Sequence, residues 1–84
     1  MKHAGPVALD SIEDMLALLR TRPQLREKKR GTFYRKSSAF LHFHEDPAGL
    51  FADLKLEAAF ERFPVNMPED RETLLAVVAS ALES

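Results

Sequence analysis

The feature that most constrains this chain is residues 39–56, two runs of alternating apolar and polar residues separated by Asp46-Pro47-Ala48-Gly49. Alternation with period two marks strands with one buried face. The loop composition marks a hairpin, with Pro47 where its restricted φ suits a type I turn and Gly49 where a positive φ is common. A four-residue loop opposes Glu45 to Leu50, and therefore Phe43 to Ala52 and Leu41 to Leu54. Both of these pairs are apolar, so their face is the core. The other face carries His44 across from Phe51, His42 across from Asp53, and Phe40 across from Lys55.

Residues 32–36 and 59–65 supply a strand on either side, the last ending at Pro64. With Ser37-Ser38 as a tight turn, Tyr34 falls on the core face, and Phe33 and Arg35 join His42 and Phe40 on the other. Before the strands, Ile12, Met15, Leu16 and Leu19 recur at helical spacing, which predicts a helix over 12–21 that starts at a Ser11/Asp14 capping box and stops before Pro23. Residues 1–10, with Gly5 and Pro6, read as a loose arm, and residues 24–30 as a polar, basic connector with Leu25 tucked under the sheet. After the strands, Asn66 and Glu69 form a second capping signal with Pro68 in the first turn, and Leu74, Val77, Val78, Ala81 and Leu82 form a buried stripe. The expected fold is α+β: a two-layer sandwich of N-terminal helix, antiparallel meander of three to four strands and C-terminal helix, in one domain spanning 1–84 with the arm at 1–10.

Composition narrows the function classes. The chain has 84 residues and no cysteine, which leaves no room for a large cleft, no thiolate nucleophile and no disulfide framework. The longest apolar run is far below a membrane span and no leader pattern opens the chain, so a cytoplasmic protein without membrane contact is expected. Its net charge of -1 conceals segregation, because residues 20–36 hold eight of the twelve Lys and Arg against a single acid, Glu27. Such a block attracts anions, or is a solvated connector beside a charged edge strand.

Taken together, residues 31–55 (GTFYRKSSAFLHFHEDPAGLFADLK) and 63–82 (FPVNMPEDRETLLAVVASAL) resemble, in strand order and aromatic placement, the small bacterial frataxin-like domains of the YjbR-like and YdhG-like families of unknown function. The resemblance implies a frataxin-like fold, with DNA binding suggested for one family and iron handling for the other. It carries over no catalytic residue.

Chemistry-bearing residues are few. His42 and His44 project from one strand face with Asp53 across the ladder, an arrangement that fits iron or zinc ligation given a third ligand such as His3 or Glu45, but that fits better a common stabilising cross-strand pair. No residues are positioned as a nucleophile with its base, and the three glycines never cluster into a phosphate loop, so a non-enzymatic role without cofactor is expected. Arg26, Lys28, Lys29 and Arg30 form a basic patch that, beside Phe33, Tyr34 and Phe40, suits nucleic acid. Phe33, Phe40 and Phe51 on the face away from the helices would form an apolar patch suited to a homodimer. The reading these observations favour is a binding module for an unidentified protein or a small anionic ligand, using a surface lined by Arg35, Phe40, His42, Phe51, Asp53 and Lys55. DNA binding through residues 20–36 and metal binding at His42, His44 and Asp53 are the alternatives.

Overall fold

The computed structural model describes residues 2–83. Along the chain run β1 (Lys2–His3), α1 (Pro6–Asp10), α2 (Glu13–Arg20), β2 (Leu25–Lys29), β3 (Thr32–Arg35), β4 (Ser38–Asp46), β5 (Gly49–Leu56), β6 (Ala59–Pro64) and α3 (Pro68–Leu82). The class is α+β, as expected, but the sheet has six antiparallel strands instead of three or four. Strands β2 to β6 lie in sequence order, and β1 pairs with the far end of β4, beyond the point where β3 stops.

The central hairpin has the register that alternation predicts. Leu41 opposes Leu54, His42 opposes Asp53, Phe43 opposes Ala52 and His44 opposes Phe51, and pairing runs on to Asp46 and Gly49, so the turn itself is only Pro47-Ala48. The Asp46 carboxylate closes it by accepting from the Ala48 amide at 2.7 Å.

The hairpin before it differs from expectation. Arg35 opposes Ser38, which makes Lys36-Ser37 the turn, and a bulge in β4 leaves Phe40 outside the ladder between the Phe33–Leu41 and Tyr34–Ala39 pairs. A one-residue slip moves a whole strand's side chains to the other face. Phe33 is therefore fully buried beside Leu41, while Tyr34 lies on the open face with Thr32. The bulge likewise turns Phe40 inward, to 4% exposure, and Lys55 faces Phe60 instead. With Phe33 and Phe40 in the core, the three-phenylalanine patch does not exist.

All three helices pack on the face carrying Phe33, Leu41, Phe43, Ala52 and Leu54. Leu9, Ile12, Met15, Leu16 and Leu19 come from the N-terminal side and Leu74, Val78 and Leu82 from α3, in one continuous core. The predicted caps are replaced. The Ser11 hydroxyl donates back to the Ala8 carbonyl and Ile12 precedes α2. At α3 the Asp70 carboxylate accepts from the Met67 amide, and Asn66 instead accepts from the Leu50 amide at 2.8 Å, which ties the helix entry to β5.

The arm and the connector both form structure. The Ala4 amide donates to the Phe43 carbonyl, which holds β1 on β4. Residues of β2 pair with β3 despite their polarity, because the strand is an edge whose outer groups stay in water. Its hairpin turns at Gly31, where φ is +81° and a Cβ would stand 2.7 Å from the end of the Leu9 side chain, so any other residue would be strained there and would press on Leu9.

Candidate metal centre

On the open face, four neighbouring strands bring chemistry-bearing side chains into a row. Register opposes His3 of β1 to His44 of β4, His42 of β4 to Asp53 of β5, and Asp53 to Arg62 of β6. Directly opposed residues share a face and come within side-chain reach, so the row is a consequence of strand order.

The three imidazoles cluster tightly. One potential ligand atom from each of His3, His42 and His44 lies within 4.8 Å of the other two. His3 stacks on His44 with ring centroids 5.2 Å apart, and His42 meets His44 edge-on at 4.7 Å. Phe60 covers His42 from the side at 5.1 Å and is itself 44% exposed.

Hydrogen bonding settles the proton between the two strand histidines. Nδ1 of His42 and Nε2 of His44 are 2.7 Å apart, which requires one N–H facing one lone pair. His44 Nε2 also stands 3.1 Å from Asp53 Oδ2, and an ionised carboxylate only accepts. His44 Nε2 therefore carries the hydrogen and His42 Nδ1 the lone pair. The remaining nitrogen, His44 Nδ1, is buried without a hydrogen-bond partner, and an unprotonated lone pair is the form that leaves no donor stranded there.

Asp53 is only 7% exposed. Its charge is held by a two-pronged fork from Arg62, Nε at 2.8 Å and Nη2 at 3.0 Å. That fork keeps the Asp53 carboxyl below its usual range against the opposing effect of burial. For His42, burial and then the neighbouring His44 disfavour the charged ring and lower its pKa.

Two ligands of one tetrahedral ion, at ordinary metal–nitrogen distances, stand about 3.3 Å apart. The 2.7 Å His42–His44 contact must open slightly to admit an ion, and the 3.1 Å separation of His44 Nε2 from Asp53 Oδ2 nearly matches that spacing. An ion between these two nitrogens would displace the shared proton, and His44 would then carry its hydrogen on Nδ1, the buried nitrogen.

The remaining residues of the predicted surface go elsewhere. Arg35 faces the helices, donates to the Ala81 carbonyl at 3.1 Å and lies over the Phe40 ring. Together with Lys55 these two residues line a groove of about 1060 Å³ against the end of α3. Phe51 is half-buried beside Pro64. In the basic block, Arg30 pairs with Asp10 and Glu13, while Arg20 pairs with Glu13 and Glu27. Lys28 caps the Tyr34 ring at 4.4 Å, and Arg26 and Lys29 are exposed. Glu45, the other third-ligand candidate, instead accepts from the Gly5 amide.

Sequence reasoning named His42, His44 and Asp53 together and missed Arg62 and Phe60. A two-residue turn at Glu57-Ala58 would have shown Arg62 across from Asp53, but β6 lacks clean alternation and its register is weakly marked. No protein family matches the chain, and neither does any curated protein or solved structure. No helix among the described residues is long and apolar enough to cross a membrane.

Proposed function

We propose that this chain is a small metal-binding module whose open sheet face holds a divalent cation through His3, His42 and His44. The observation that carries this reading is the convergence of three imidazoles within 4.8 Å, one of them brought from a strand forty residues away in the chain. Imidazole donors without thiolate favour zinc, copper(II), nickel(II) or iron over magnesium and calcium. Zinc is the first choice, since it accepts three protein ligands with a position left open. The iron handling implied by the frataxin-like resemblance falls within the same donor set. Depressed basicity at His42 supports the reading as well, because a ring that is neutral near pH 7 has no proton to lose before it ligates.

Nucleic-acid binding through residues 20–36 has less behind it, since Arg20 and Arg30 already answer to carboxylates from α1, α2 and β2.

The test is a calorimetric titration of zinc into the metal-free protein at pH 7.5 and again at pH 5.5. One equivalent should bind at the higher pH and far more weakly at the lower, where protons compete with the metal for the imidazole nitrogens. Binding that is pH-independent, or that survives His42→Ala and His44→Ala unchanged, refutes the proposal.

A further inference from the structure

We infer that the metal-loaded centre is a receptor for an oxyanion, a carboxylate or phosphate group held between the metal ion and Arg62. This inference rests on the metal-binding reading above and adds a ligand to it.

The argument begins with charge. Three neutral imidazoles contribute none, so the ion's double positive charge must be answered from outside the ligand set. Asp53 is the only acid buried at the site, and its two oxygens are already engaged by the Arg62 fork. With metal present, the group of metal, Asp53 and Arg62 therefore carries a net positive charge and at least one open coordination position.

Geometry supplies the second contact. Arg62 Nη2 and His44 Nε2 lie 3.0 and 3.1 Å from the same atom, Asp53 Oδ2, so the guanidinium stands within about 6 Å of the ligating nitrogen, beside which the ion would sit. One oxyanion can span such a gap, one oxygen on the metal and another on a guanidinium N–H. The Arg62 side chain is 51% exposed, and its Nη1 stays outside the fork that holds Asp53. His3 and Phe60, the other neighbours, are exposed too, so this side of the site is open to a ligand.

Without metal the balance reverses. Arg62 then faces Asp53 and also feels the Asp46 carboxylate, so an arriving anion meets more negative charge than positive. Anion binding at this site is thus metal-dependent.

The experiment uses cobalt(II), whose visible absorption reports its coordination, and titrates inorganic phosphate and, separately, acetate into the cobalt-loaded and metal-free full chain. Both anions should alter the cobalt spectrum saturably, with phosphate the tighter because it carries more negative charge. The metal-free protein and cobalt-loaded Arg62→Gln should each bind phosphate at least about tenfold more weakly, as expected for a lost charge-assisted contact. Asp53→Asn should retain phosphate binding, since it frees the guanidinium. Equal phosphate affinity with and without cobalt, or a cobalt spectrum that neither anion changes, overturns the inference. So does a parent protein blind to phosphate beside an Asp53→Asn variant that binds it, because the carboxylate would then be closing the centre as fourth ligand. In those outcomes cobalt still binds and the metal reading stands. Failure of cobalt to bind, or binding undiminished in His44→Ala, removes both.

Discussion

Two polar regions of this molecule look alike in the sequence and behave differently in the fold. The basic strand β2 and its flanks carry a run of like charge, and the structure answers it with carboxylates from α1 and α2, with Glu27 also accepting from the Gly31 amide at 2.9 Å. The histidine row on β1, β4 and β5 carries little charge, yet it keeps a shared proton and a buried nitrogen without a partner. Where carboxylates answer the charge, as at Arg20 and Arg30, the cluster has a structural explanation. A cluster that leaves a donor set pointing at a common centre has capacity to spare, and that capacity is where a ligand goes.

The sharpest way to break this contrast is metal affinity. His42→Ala should weaken zinc binding by at least about a hundredfold, beyond the ten- to hundredfold typical of residues that only support a ligand. Lys28→Ala and Lys29→Ala should leave the same calorimetric titration unchanged, and a comparable loss in those variants would erase the distinction between the regions.

Stability separates them next. Asp53→Ala strips His44 Nε2 of its carboxylate acceptor and leaves the Arg62 fork empty, so a cost of about 1–3 kcal/mol is expected in urea unfolding. Arg30→Ala removes only exposed pairs and should shift the urea midpoint far less.

Acid should act on the two regions in different windows. The folded pKa of His42 is lowered from 6.5, so the unfolded chain takes up this proton more readily. Its contribution to stability is present above pH 6.5 and falls as the pH drops through that value toward the folded pKa. Asp53 and Glu27 are lowered from 3.8 and 4.5, so their contributions are complete above those values and are lost as the pH falls through their folded pKa values. Urea midpoints should therefore decline first as the pH falls through 6.5, through His42, a decline that His42→Ala should reduce. Only below about pH 4.5 should the Glu27 network join in.

Salt should produce the smallest effect. Raising sodium chloride screens the exposed Arg20 and Arg30 pairs and leaves the Asp53–Arg62 fork, with its buried carboxylate, less affected. Midpoints of Arg30→Ala and the parent should converge in salt, while the gap between Asp53→Ala and the parent persists.

How far each feature was legible follows from the range of the interaction behind it. Helical stripes such as Leu74, Val78 and Leu82 depend on neighbours within one or two turns, and they were read correctly. The β4–β5 register depends on a short turn flanked by strong alternation, which leaves one apolar match, and it put His42 opposite Asp53. At the β3–β4 turn two adjacent positions were both acceptable, and the bulge at Phe40 has no local signature. Hence Phe33, Tyr34, Arg35 and Phe40 were assigned to the wrong faces. Residues 25–29 could not be recognised as a strand from alternation, since an edge strand in water needs little apolar content.

The amino-acid sequence by itself determined the α+β class, the buried stripes of the helices and a central hairpin with two histidines and an aspartate on one face. Those follow from periodicity and turn chemistry, which act between residues close in the chain. Only the tertiary structure decided that β1 would lie on β4 and bring His3 to His44, and that β6 would bring Arg62 to Asp53. Both pairings join segments whose own patterns are too short or too irregular to specify a register. They form because the helices bury one side of the sheet, and its remaining edges must then find partners for their backbone groups.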